Sequence, residues 1–78
     1  MSMPPEVNDV TPFTGLKLLA GPHREIVVEH VDDTQVYYAV HDDRSRSYFP
    51  DRYRVQISDW MRVVAEKIAA GEALIVPR

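Results

Sequence analysis

Apolar residues in this chain first cluster at Leu16, Leu18 and Leu19, a short run closed by Gly21 and Pro22. A Gly-Pro pair punctuates strands and cannot continue a ladder, so the run predicts a first strand. Residues 24–30 (REIVVEH) and 35–41 (QVYYAVH) are rich in Val, Ile and Tyr and are separated by the polar stretch DDTQ. That pattern predicts a β-hairpin. Setting Val31 opposite Val36 places Val27 against Val40, His30 against Tyr37 and His41 against Ile26, and leaves apolar groups on both faces. A bulge near Glu29 or His30 would bring Val28 and Val31 to one side. Val36, Tyr38 and Val40 are expected to face inward, with Tyr37 and Ala39 on the more open side.

After a second polar break, HDDRSR, the segment SYFPDRYRVQI alternates loosely around Pro50 and Asp51. Tyr48-Phe49 and residues 53–57 read as two short strand pieces joined by a turn. Ser58 offers a helix-capping oxygen, and Asp59 puts negative charge in the first turn. Ile57, Trp60, Met61, Val64, Ala65 and Ile68 then recur at the spacing of one helical face. Gly71 predicts the helix stop, and ALIV (73–76) reads as a buried last strand. The expected class is α+β, a small antiparallel β-sheet or partly open barrel of four to five strands packed on one C-terminal helix. Residues 1–12 hold three of the six prolines and read as a flexible tail before a single domain over 13–78.

The order of elements, with the run EIVVEHVDDTQVYYAV at its centre, resembles small Src-homology-3-like barrels of the Tudor and KOW kind, including short barrel proteins of phages and plasmids. The likeness spans roughly residues 15 to 64. It implies a barrel-like sheet and, for the phage and plasmid members, a host-modulating or regulatory role. The helix with its terminal strand departs from the plain barrel.

Size narrows the functional classes. With 78 residues, the chain buries only about 60–65% of the surface its unfolded form exposes, which leaves little material for a deep cleft beside a core. A non-enzymatic protein is therefore expected. Self-association into a homodimer is one expected way for so small a core to gain stability. The chain has no cysteine, which excludes disulfides, thiolate metal sites and cysteine nucleophiles. No apolar run is long enough to cross a bilayer, and MSMPPEVNDV lacks the features of a signal peptide, so the expected compartment is the cytoplasm.

Three histidines, His23, His30 and His41, raise a metal site, but the hairpin register separates His30 from His41 by about 13 Å, and no spaced ligand motif is present. No metal and no cofactor is expected. The acidic pairs Asp32-Asp33 and Asp42-Asp43 read as turn formers rather than catalytic dyads. The distinctive segment is RSRSYFPDRYR, residues 44–54, with four arginines against one aspartate, a net +3 in a chain of net −3. Arginine and tyrosine are enriched at the energetic centres of protein interfaces. The leading expectation is a protein-binding module using Tyr37, Arg46, Arg52, Arg54 and Trp60, with Trp60 also read as a core anchor. The alternative is nucleic-acid binding by the same segment, with guanidinium groups on phosphates and rings on unpaired bases, against the repulsion of an acidic chain.

Overall fold

A computed structural model of the chain describes residues 10–45 and 48–76. Five strands, β1 (Lys17–Ala20), β2 (Arg24–Val31), β3 (Gln35–Asp42), β4 (Asp51–Gln56) and β5 (Leu74–Ile75), form one antiparallel sheet. The helix α1 (Ile57–Ala69) lies between β4 and β5 in sequence. The strand order is β4-β3-β2-β1-β5, an open sheet with β4 and β5 as its edges. This is the expected small α+β architecture.

The β2–β3 hairpin contains the anticipated bulge. Val31 pairs with Val36 and His30 with Tyr37, and then the register shifts so that Val28 pairs with Tyr38, leaving Glu29 as the extra residue. The shift puts both Val28 and Val31 on the helix side, where Val28 is buried and Val31 packs against the core. It also corrects the simple register beyond it: Val40 meets Ile26 rather than Val27, and His41 meets Glu25 rather than Ile26. Val36, Tyr38 and Val40 face the helix as expected, since Val36 and Tyr38 join the core and Val40 shares their alternation. Ala39 lies on the opposite face yet is 1% exposed, because its small side chain sits between Val27 and Arg52 of the neighbouring strands.

Aspartates close the hairpin turns. Asp32 accepts hydrogen bonds from the amides of Thr34 (2.9 Å) and Gln35 (2.7 Å), and Asp42 accepts one from the amide of Arg44 (2.9 Å). These side-chain-to-backbone bonds replace the ladder where the chain reverses.

Helix α1 starts one residue before the expected cap. Gln56 occupies the N-cap in extended conformation with no side-chain cap, and the Ile57 amide instead bonds the Thr34 carbonyl at 2.9 Å. The sheet itself satisfies this helix start, so Ser58 falls inside the first turn. At the other end, Gly71 adopts φ 74°, its amide reaches the Ile68 carbonyl, and the Glu72 amide reaches the Lys67 carbonyl. That paired pattern satisfies the last carbonyls through a left-handed residue, a conformation open to glycine.

The core comprises Val10, Leu16, Leu18, Val28, Val36, Trp60 and Val64. Met61 and Ala65, expected on the buried helical face, are exposed. Residues 1–9 of the expected tail lie outside the described residues, while Val10 and Pro12 are buried. Two strand expectations are corrected. Tyr48 and Phe49 belong to no strand and are 98% and 78% exposed. The terminal strand pairs with β1 of its own chain, as an edge, with Leu74 exposed rather than buried.

Candidate functional site

Strand alternation sorts the sequence candidates onto two faces. Tyr37, Arg52 and Arg54 share the face away from the helix, with Tyr37 opposite Arg54 and Arg52 opposite Ala39. Arg52 Nε donates to Glu29 Oε1 at 3.0 Å, so this ion pair links β4 to the β2 bulge across β3. Both side chains are substantially exposed, and such a pair contributes about 0–1 kcal/mol. Glu29, Tyr37, Arg52, Tyr53 and Arg54 line a shallow depression of about 370 Å³.

The Tyr37 hydroxyl lies 3.0 Å from Asp32 Oδ2 and 3.1 Å from Gln35 Oε1. Its hydrogen bond to Asp32 raises the tyrosine pKa above its ordinary value. The amides of Thr34 and Gln35, with help from the same hydroxyl, hold the Asp32 pKa below the ordinary carboxylate range. Both groups are thereby fixed in their neutral-pH forms, tyrosine protonated and aspartate charged. His30 stacks at a tilt against Tyr37, ring centres 5.5 Å apart.

Trp60 does not join this cluster. It is 4% exposed on the other side of the sheet, and its indole N–H donates to the Val10 carbonyl at 3.3 Å. A buried indole needs such a partner. Its ring also packs at a tilt on Tyr38, 5.3 Å between centres. Arg46 lies outside the described residues.

The helix leaves part of its own side of the sheet uncovered, which opens a groove of about 820 Å³. Ile26, Tyr38, Val40 and Tyr53 form its floor. Trp60, Val63 and Val64 of α1 line it from the helix, and Tyr48, Phe49 and Pro50 line it from the connection that precedes β4. Tyr38 and Tyr53 stack with centres 5.5 Å apart, and Tyr53 remains 50% exposed. The rim is polar: Arg24 pairs with Asp42 at 3.2 Å, and Lys67 with Glu72 at 3.5 Å. The Arg44 amide, then the Arg44 and Arg24 side chains, lower the Asp42 pKa to about 2.

The sequence singled out the rings of Tyr48, Phe49 and Tyr53 as contact chemistry but did not connect them with Val40 or Val63. Those residues meet only because the helix crosses the sheet. The histidines are dispersed: His23 bonds Asp43 at 2.8 Å, His30 lies on Tyr37 and His41 is exposed. Among the described residues, no three potential metal ligands converge, and no helix is long and apolar enough to cross a membrane. No protein family, curated protein or solved structure matches this chain.

Proposed function

We propose that this chain is a non-enzymatic protein-binding module whose contact surface is the apolar groove together with the adjoining strand β4. The observation that carries the reading is the uncovered floor of the groove, where the half-exposed Tyr53 is accompanied by Phe49, Tyr48 and Val63, all substantially exposed. Contiguous apolar surface with a polar rim is characteristic of protein contact sites. The arginines of β4 border this surface from the opposite face of the sheet. They favour a partner bearing negative charge.

One observation favours nucleic acid instead, namely the exposure of Tyr48 and Phe49 within the arginine-rich segment 44–54. Against it, Arg44 and Arg52 already face Asp42 and Glu29, and the chain as a whole is acidic. Placing a photo-activatable amino acid at position 53, with position 66 on the exposed side of α1 as control, separates the readings. Protein adducts at position 53 that are absent at position 66 support the proposal. Nucleic-acid adducts, or equal labelling at both positions, overturn it.

A further inference from the structure

The hydrogen-bond ladder determines which backbone groups β4 offers to a partner. In an antiparallel pair, bonded and non-bonded residue pairs alternate. The Ile57 amide bonds the Thr34 carbonyl, which continues the β3–β4 register by one position past Gln35 and Gln56. Counting back in twos, Val36–Val55, Tyr38–Tyr53 and Val40–Asp51 are the bonded pairs. The other side of β3 agrees, since the Asp32 amide bonds the Gln35 carbonyl and thereby assigns Gln35 and Tyr37 to β2. The N–H and C=O groups of Arg52, Arg54 and Gln56 consequently point away from β3. Among the described residues no strand lies on that side. A row of outward backbone groups is a template for an added strand.

The side chains make this template selective. Arg52 and Arg54 stand on the outer face, and Tyr53 between them stands on the groove face. Pairing β4 in phase with β4 of a second copy, centred on Tyr53 or Arg54, sets arginine against arginine, which is destabilising. Carboxylates at those positions of an incoming strand reverse the sign. On the outer face near the edge, the two guanidinium groups meet one carboxylate among the described residues, Glu29, bound to Arg52. The residue between the two carboxylates would lie beside Tyr53 at the lip of the groove, where an apolar side chain extends the floor.

We propose that the free edge of β4 accepts an extended segment of another protein with carboxylates at alternate positions, aligned with Arg52 and Arg54, and an apolar residue between them beside Tyr53. This rests on the protein-binding reading and specifies its partner. The test is amide hydrogen exchange on the whole chain, followed by NMR, with a blocked octapeptide alternating glutamate and valine as probe. Its control replaces each glutamate with lysine. The glutamate peptide is expected to slow exchange at Arg52 and Arg54 by about tenfold once it exceeds ten times its Kd. Tyr53 and Val55, already bonded to β3, should change little, and the lysine peptide should protect neither arginine amide.

A double variant, Arg52→Glu with Arg54→Glu, should exchange the two preferences. Circular dichroism reports whether it folds, and if it does not, the exchange experiment on the unaltered chain decides alone. Absence of protection by the glutamate peptide, or equal protection by both peptides, overturns the inference. So does an oligodeoxythymidylate that perturbs Arg52 and Arg54 where the peptide does not. Protein adducts at position 53 alongside peptide failure would remove strand addition while retaining the protein-binding reading. Failure of both experiments removes both.

Discussion

Asp42 shows how much one side chain can organise. It accepts the Arg44 amide at 2.9 Å and Arg24 Nε at 3.2 Å, joining the end of β3 to the start of β2 at the groove rim. These bonds favour the carboxylate and bring its pKa to about 2, from an ordinary 3.8. A folded-state pKa below the unfolded value means that the native form binds the proton less readily. The contribution is therefore full above about pH 4 and declines as pH falls through about 2. Carboxyl chemical shifts should give a midpoint near 2 for Asp42, and a midpoint near 3.8 would show that the bonds do not hold in solution. Thermal melts of Asp42→Asn should fall below the parent at neutral pH, with the gap closing between pH 4 and 2. The turn role of this aspartate was legible in the sequence because a bond to an amide two residues away needs only local geometry. The bond from Trp60 to Val10 was not legible: it joins residues fifty positions apart, one of them in a proline-rich stretch with few apolar neighbours.

Among the elements, the hairpin turns on Glu29. Its insertion lets Val28 and Val31 face the helix together although an odd number of positions separates them. Glu29→Ala removes only the exposed partner of Arg52 and should cost about 0–1 kcal/mol. Deleting Glu29 removes the extra residue itself, so Val28 and Val31 become two positions apart, Val28 still meets Tyr38, and the hairpin becomes regular. Ile26 and Val28 would stay on the helix side, and the deletion should cost about the same 0–1 kcal/mol as the alanine variant. Denaturant titration compares the two variants, and a midpoint for the deletion far below that of Glu29→Ala would mean that the bulge does more than absorb the extra residue. The bulge was readable because two apolar residues demanded the same face. The helix start was not, because Ser58 is a good local cap and the structure satisfies the Ile57 amide from Thr34 in another strand. For β5, the apolar run ALIV correctly indicated a strand, but its place at an edge depends on sheet order, which the run does not encode.

At the scale of the molecule, the core and groove divide one side of a single sheet, and Trp60 and Tyr53 occupy the two parts. Both rings pack against Tyr38, yet Trp60 is 4% exposed and Tyr53 is 50% exposed. The sequence marked Trp60 as a core anchor as well as a contact candidate, and Tyr53 only as a ring among the arginines of residues 44–54. Their difference follows from where α1 crosses the sheet. Trp60→Ala should cost about 3–5 kcal/mol, comparable with all that a core of this size supplies, and the chain should be largely unfolded at 37 °C. Tyr53→Ala removes one stacked pair from an open surface, worth about 0.5–1.5 kcal/mol, and should leave a cooperative melt. Peptide binding should respond in the opposite sense to that stability order: Tyr53→Ala should weaken a glutamate–valine strand severalfold because its apolar residue loses the floor beside it. Calorimetric melts and titrations on this one variant settle the division. A collapse of folding would assign Tyr53 to the core, and unchanged affinity would detach the groove from β4, leaving the edge arginines to recognise a partner without it.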